Sequence, residues 1–409
     1  MLWVLYVISM ATLYWIYDGY GRLLRLADFV RATFTTRPLT RKTETGESAQ
    51  LPSLTVLLTV HNEEQVVKQR VRNILATDYP ADRIQVVVAS DGSTDATNRL
   101  IGGMVDWRVR LFQTAGLGKT ATQNAALQKI ESEIVVFTDA DTRFDRDFLR
   151  NIVAPFEDQI VGAVDGRLLY TADSNDANVR GQGYYWQHEL SLRHAESRLG
   201  LLAVLTGAAF AVRRELIQPM DASIGEDCIV PLDVVLQGFR VVHQQTAKAY
   251  DSFEEGNGVT FRRRVRMTLR NWQGTWSRPA LLNPFRHPGY SLALWSHKLL
   301  RWLSPVFLLV ATFCSIGLCA MSPGLLSLTA VAPLATLYAL AAIGWLTNER
   351  RVGIPGAGTA FSFLLVNLAF LVGVFKAITG QRIRAYSNTN STPNPDEPMS
   401  AVASLRSAA

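Results

Sequence analysis

The sequence predicts an α/β fold: a mainly parallel sheet with helices on both faces, attached to helices that cross a membrane. Three observations carry this. Between residues 51 and 145, short β-branched runs alternate four times with helix-patterned runs at βαβ spacing. No charged residue occurs from Leu303 to Asn348, nor from Val352 to Phe375. A further apolar run, Leu2–Tyr17, lies at the N-terminus.

The N-terminal run has neither a basic n-region nor a small-residue cleavage site, so residues 1–21 read as an uncleaved anchor rather than a signal peptide. A buried core helix is the alternative. Residues 22–50 read as a juxtamembrane linker, polar through "PLTRKTETGESAQ" (38–50). The domain proper is expected over 51–278. Within it "LTVLLTV" (54–60) is a strand. "EEQVVKQRVRNILA" (63–76) is helical, with Val67, Val71, Ile74 and Leu75 apolar. "RIQVVVAS" (83–90) is a strand, and Asp91-Gly92-Ser93-Thr94-Asp95 turns into a helix cap. "VRLFQ" (109–113) is a short strand, "GKTATQNAALQKI" (118–130) a helix, and "EIVVFTDAD" (133–141) the fourth strand with its exit. Residues 279–301 are expected at the membrane interface and 302–380 within it. The first uncharged run is too long for one span of ~20 residues. It fits two, with Met321-Ser322-Pro323-Gly324 as the turn; the second run fits one more. The tail, 381–409, is rich in Ser, Asn, Thr and Pro and reads as disordered.

A net charge of +6 raises the question of a nucleic-acid partner. The basic residues instead cluster beside the apolar runs: Arg22, Arg25, Arg31, Arg37, Arg41 and Lys42, then Arg262 to Arg264, Arg266 and Arg270, then Lys298 and Arg301. That distribution fits a cytoplasmic domain lying on the anionic face of a plasma membrane and no nucleic acid. Cys228, Cys314 and Cys319 form no disulfide or zinc pattern, in keeping with a reducing compartment. With one span before the domain and three after, Arg350-Arg351 falls inside, but Gln381-Arg382-Ile383-Arg384 falls outside, against the positive-inside rule. A re-entrant or interfacial apolar segment would remove the conflict.

Ligands of parallel sheets bind beyond the carboxyl ends of the strands. His61-Asn62-Glu63, Asp91 and Asp139-Ala140-Asp141 all fall there. Each has a plain reading as a polar turn. The pair Asp139 and Asp141 has a second one: two carboxylates one residue apart can hold Mg²⁺ or Mn²⁺ against a diphosphate, and that cation neutralises a leaving nucleoside diphosphate. Gly118-Lys119-Thr120 ends like a Walker A loop, but Gln113 stands where that motif needs glycine, which excludes a P-loop. Lys119 at a helix start either meets a phosphate or is solvated. Glu226-Asp227 is either acidic helix-entry chemistry or contains a general base. "FRRRVRMTLRNWQGTW" (261–276) offers arginines for pyrophosphate and Trp272 and Trp276 for stacking. It also reads as an amphipathic helix on a membrane surface. The six histidines show no metal spacing.

In this order the clusters resemble the family 2 glycosyltransferases, the inverting membrane-bound group that includes cellulose, hyaluronan and poly-N-acetylglucosamine synthases. The matching segments are "TVHNEE" (59–64), "ASDGSTDAT" (89–97), "GKTATQNAAL" (118–127), "FTDADT" (137–142), "LTGAAFAVRREL" (205–216), "GEDCIVPLDVVLQGFRV" (225–241) and "RRRVRMTLRNWQG" (262–274). The resemblance implies a Rossmann-like GT-A domain and a nucleotide-diphospho-sugar donor, expected to be UDP-linked. It implies that Asp91 and the His61, Asn62, Glu63 loop face the base, and that Asp139 and Asp141 hold nucleotide and metal. Lys119, Arg263, Arg266 and Trp272 complete the expected donor side. Asp227 is the implied base that deprotonates the acceptor, with Trp186, Gly207 and Glu226 bordering it. The expected reaction extends a polysaccharide; the alternative is one transfer to a polyprenyl-linked sugar or a glycerolipid. A non-catalytic scaffold is disfavoured because every acidic residue the chemistry needs is present. A nucleotidyltransferase would leave Glu226-Asp227 without a role. Two departures stand out. The Q/R-x-x-R-W motif of processive members is broken, since Asn271 separates Arg270 from Trp272, and Gly225 replaces the usual Thr-like residue.

Overall fold

The computed structural model describes residues 1–34, 51–171, 177–252, 256–347 and 354–382. Most of the expected linker, Arg350-Arg351 and the tail from residue 383 lie outside the described residues. In chain order the elements are α1 (Leu2–Tyr14), α2 (Tyr20–Phe34), β1 (Leu54–Val60), α3 (Val67–Leu75), β2 (Ile84–Asp91), α4 (Thr97–Gly102), β3 (Val109–Thr114), α5 (Lys119–Leu127), β4 (Ile134–Thr138) and β5 (Arg143–Phe144). There follow α6 (Phe148–Val153), β6 (Val161–Thr171), α7 (Ala177–Leu199), β7 (Ala209–Arg213), α8 (Glu226–Leu236), β8 (Arg240–Ser252) and α9 (Asn257–Trp276). Last come α10 (Pro288–Ala293), α11 (Leu300–Met321), α12 (Leu325–Thr347) and α13 (Ala357–Ile378).

The eight strands form one sheet in the order β3-β2-β1-β4-β7-β6-β8-β5. β3, β2, β1 and β4 run parallel, as their alternation with helices requires. The other half is mixed: β7 is antiparallel to both β4 and β6, while β6 and β8 are parallel. The sequence reading stopped at the fourth strand, so this half is new. Every residue of β1 is buried because both sheet faces are covered. Val56 and Leu58 pack with Val67, Val71 and Ile74 of α3 on one face. Leu57 and Phe137 pack with Ala126 and Leu127 of α5 on the other. Phe137 stacks on Phe210 of β7 with ring centroids 4.6 Å apart. Burying a side chain of this size is worth roughly 1.5–3 kcal/mol.

Helix α3 starts at Val67, four residues later than the sequence pattern suggests. The preceding residues are committed to a turn. Asn62 sits at φ 56°, and the Glu63 backbone N–H donates to Thr97 Oγ1 at 2.8 Å. The strand exit therefore bends towards α4 before a helix can begin.

Among the described residues three helices are long and apolar enough to cross a membrane: Pro288–Met321, Leu325–Thr347 and Ala357–Ile378. The turn between the first two falls at residues 322–324, where the Ser-Pro-Gly signal lies. The N-terminal helix is long as well, since α1 continues through a π-turn at Trp15–Gly19 into α2. It joins the apolar bundle: Leu13 packs with Leu308, Ala311 and Leu334, and Tyr17 O–H meets Ser304 Oγ at 3.0 Å. Its outer residues Val4, Val7 and Ile8 are exposed, as a lipid-facing surface requires. The domain is fastened to this bundle. α13 passes so close to α9 that a Cβ on Gly373 would stand 2.7 Å from Thr268 Cβ. Beside that crossing, Glu189 of α7 accepts from Lys298 Nζ at 3.2 Å and from Arg301 Nη1 at 2.8 Å.

Candidate active site

The carboxyl ends of β1, β2 and β4 carry the first group of polar side chains. His61 Nδ1 lies 2.6 Å from the Asp91 carbonyl oxygen. Asn62 Oδ1 accepts from the Thr94 backbone N–H at 2.8 Å, tying the two strand exits together. Asp91 is 3% exposed, and its Oδ1 accepts from Gly118 N–H at 3.1 Å, Thr122 Oγ1 at 2.8 Å and Thr114 Oγ1 at 3.3 Å. The start of α5 thus fixes this carboxylate at the sheet edge. Glu63 follows on the β1 exit, its backbone N–H held by Thr97 Oγ1. Burial, then the charges of Asp141, Asp139 and Asp95, push its carboxyl up to about 7.

The second group spans the sheet. The turn after β4 carries Asp139 and Asp141 and leads into β5 at the far edge, where Phe144 pairs with Ala249 of β8. That pairing brings Asp251 next to the turn. Asp141 is exposed, yet the groups packed around it and then Asp139 raise its carboxyl. Asp251 is buried; desolvation and then Asp141 push it up to about 8. Arg263 of α9 counters both. Lys119 Nζ sits 2.7 Å from Asp139 Oδ1 and 2.7 Å from Glu226 Oε1. The lysine expected at a phosphate bridges two carboxylates here.

The third group surrounds Asp227 in the first turn of α8. Burial, followed by the charge of Glu226, pushes Asp227 up to about 6, against the pull of Lys119 and Arg270. Glu226 behaves oppositely: its burial is outweighed by Lys119 and Arg270, which hold it low. Gly225 explains itself here, because any Cβ at that position would collide with Asp227 Oδ1. Gly207 lies against the same side chain, its virtual Cβ 3.5 Å from Asp227 Cβ. Arg270 Nη2 donates to Thr120 Oγ1 at 3.0 Å and to the Ile224 carbonyl at 2.9 Å, locking α9 to the starts of α5 and α8.

Beyond Asp227 a small chamber runs towards the membrane helices. Trp186, Glu189, Met267, Lys298, Trp302 and Phe370 are among its walls. Trp186 is held by its indole N–H to the Leu168 carbonyl at 2.7 Å. Trp272 packs at the junction with the bundle, 6.2 Å from Trp302 and 6.0 Å from Trp276 between ring centroids. Arg266 is half-buried on α9.

Two participants escaped the sequence reading. Arg70 is 3% exposed under the Asp139 turn. The signal was available: position 70 falls three residues after Val67, on the apolar stripe of α3. Asp251 gave no signal, because it joins the site only through the β5–β8 pairing.

The residues fit a hard divalent cation in part. Asp139 and Asp141 supply carboxylate oxygens, and the upward shifts of Asp141 and Asp251 mark negative charge crowded there against the pull of Arg263. Among the described residues no group of three or more His, Cys, Asp or Glu is assembled as a ready cage. That suits Mg²⁺ or Mn²⁺, which take one or two carboxylates and complete their shell with substrate phosphates.

Residues 55–220 match the family model described as glycosyl transferase family 2. The chain carries a family 2 glycosyltransferase domain. It is 32% identical over 146 residues to a beta-monoglucosyldiacylglycerol synthase of Synechocystis sp., covering 34% of this chain and 30% of that protein. It is 22% identical over 227 residues to a poly-beta-1,6-N-acetyl-D-glucosamine synthase of Staphylococcus aureus, covering 53% of this chain and 54% of that one. The chain thus spans about half, or less, of the length of these relatives. Among solved structures it is similar to the mannosyltransferase PcManGT from Pyrobaculum calidifontis in complex with GDP-Man and Mn²⁺. The TM-score is 0.69 at 22% identity, over 91% of this chain and 99% of that one. This likeness shows the fold, a Rossmann-like GT-A domain with its apolar helices.

Proposed function

We propose that this chain transfers a sugar, with inversion, from a nucleotide-diphospho-sugar to the hydroxyl of a lipid acceptor held at the membrane. One observation carries the reading: Asp227 lies between the Lys119–Asp139 cluster and a chamber whose far walls are membrane helices. The donor side takes the nucleotide at Asp91 and the His61–Glu63 loop, with its diphosphate towards Asp139, Lys119, Arg263 and Arg266. A divalent cation held by Asp139 and Asp141 would neutralise charge on the departing diphosphate. Asp227 removes the acceptor proton. The acceptor oxygen then bonds to the anomeric carbon from the face opposite the leaving group. The carbon–oxygen bond to the diphosphate breaks, and the configuration inverts. With its carboxyl at about 6, Asp227 is ionised near neutrality yet still basic.

The lipid reading draws on the apolar chamber walls, the interrupted Arg270-Asn271-Trp272 segment and the name of the Synechocystis relative. The polysaccharide reading draws on Trp186 and Trp302, whose faces suit sugar rings, and on the Staphylococcus relative. The basic residues flanking the apolar helices favour a cytoplasmic catalytic face at the plasma membrane. Membranes containing the chain, given labelled UDP-sugars and GDP-mannose in turn, separate these readings. One solvent-extractable lipid product supports the first, and a ladder or high-mass product overturns it for the second. Asp227→Asn tests the base: near-normal turnover in that variant would remove the assignment.

A further inference from the structure

The turn that carries Asp139 and Asp141 is pinned at both ends by one helix, α3. At its start, Arg70 Nε donates to the Asp139 carbonyl oxygen at 3.1 Å, and Arg70 Nη2 donates to Thr138 Oγ1 at 2.6 Å. At its end, Asn73 Oδ1 accepts from the Phe144 backbone N–H at 2.8 Å, while Asn73 Nδ2 donates to the Phe144 carbonyl at 3.0 Å. The two clamps are joined, since Arg70 Nη1 donates to Asn73 Oδ1 at 2.6 Å. The guanidinium also lies 4.1 Å from the centroid of the Phe144 ring. Arg70 and Asn73 are one helical turn apart, so a single rigid element fixes residues 138, 139 and 144.

A buried arginine on an otherwise apolar stripe costs desolvation, and the bonds Arg70 makes go to a carbonyl, a hydroxyl and an amide oxygen rather than to a carboxylate. Burial pulls its basicity down to about 9, and the charges of Asp141, Asp139 and Asp251 work against that fall. Backbone and charge effects converge on the same turn. The geometry points to Arg70 and Asn73 as positioning residues that hold the Asp139 and Asp141 carboxylates in the spacing a divalent cation needs. This rests on the metal reading of that pair given above. The clamp fixes the turn before cation or donor arrives, so little ordering is left to binding. Arg70 adds a fixed positive charge beneath three carboxylates that would otherwise repel one another apart.

Mn²⁺ binding to the solubilised full-length chain, followed by electron paramagnetic resonance with UDP or GDP present, tests this. Four variants are compared: Asn73→Ala, Arg70→Lys, Arg70→Met and Asp141→Ala. Partners that orient metal ligands typically contribute about 10- to 100-fold to metal affinity. Asn73→Ala and Arg70→Met are each expected to weaken Mn²⁺ by that factor. Arg70→Lys keeps the charge but not the fork, and should fall between Arg70→Met and wild type. In turnover the Mn²⁺ concentration for half-activation should rise more than kcat at saturating Mn²⁺ falls. A packing role alone would lower the melting temperature and leave Mn²⁺ affinity where it was. If Arg70→Met does not fold, Asn73→Ala and Arg70→Lys decide. Wild-type Mn²⁺ affinity in both, with binding lost in Asp141→Ala, overturns the clamp and leaves the metal reading standing. Unchanged affinity in Asp141→Ala removes the metal reading, and the clamp with it.

Discussion

The donor-side cluster and the junction between α7 and α11 are both dense in buried charge, yet they are built to opposite ends. At the junction each charge has its partners. Asp165 accepts from the Thr206 backbone N–H at 2.6 Å, lies 3.3 Å from Arg193 Nη1 and meets His243 Nδ1 at 2.9 Å. Burial alone would raise its carboxyl; Arg193 and His243 more than offset that and hold it low. Glu189, surrounded by His297, Lys298, Arg193 and Arg301, is likewise held well below the usual carboxylate range despite its burial. On the donor side the same burial leaves Glu63 at about 7, Asp227 at about 6 and Asp251 at about 8. Burial is common to both regions, so the number of cations supplied decides the outcome. The junction is electrostatically closed and serves to dock the domain on its helices. At the carboxylate cluster Lys119 and Arg263 pull the Asp227 and Asp251 carboxyls down, respectively, without offsetting burial, and a divalent cation there would meet that negative charge.

The largest test of this contrast is Asp227→Asn. Losing a positioned general base costs about 10²–10⁴ in rate, so sugar transfer should collapse while donor affinity, read by calorimetry, stays near wild type. The counterpart at the junction is Asp165→Ala, which takes from the buried Arg193 one of its two carboxylate partners and leaves it Glu189. Removing one partner of a buried pair costs about 3–5 kcal/mol, and a melting or denaturant curve on the solubilised protein should show it. If Asp165→Ala instead lost activity with no loss of stability, the junction would not be a docking device.

Acidity sharpens the comparison further. Asp227 is pushed up to about 6; as the proposed general base it would have to be ionised, so kcat/KM should rise with pH through about 6 and then level off. Lys119 and Arg270 pull that value down. Lys119→Met should therefore move the rising limb to higher pH, and an unmoved limb would detach Lys119 from the base. The smallest effect belongs to a pair that neither region uses. Arg150 Nε lies 2.8 Å from Asp78 Oδ2 with both side chains about half exposed. Asp78→Asn should change stability by less than about 1 kcal/mol, measured in the same denaturant experiment.

The sequence by itself determined what depends on neighbours along the chain. β-branched runs and the period of the intervening helices marked β1 to β4. Two uncharged stretches marked the three apolar helices, and strand exits placed His61, Asp91, Asp139 and Asp141 on one edge. These are local signals, since strand and helix periodicity are written into each segment. Tertiary structure alone decided what depends on distant residues meeting. Asp251 enters the site because β8 pairs with β5. Lys119 meets Glu226, far along the chain, as well as Asp139. Glu189 meets His297 across 108 residues. Arg70 reaches the Asp139 carbonyl across 69 residues. An isolated carboxylate or guanidinium has the same character anywhere in a sequence. Only packing sets its burial and its partners, and those two quantities separate a docking charge from a working one.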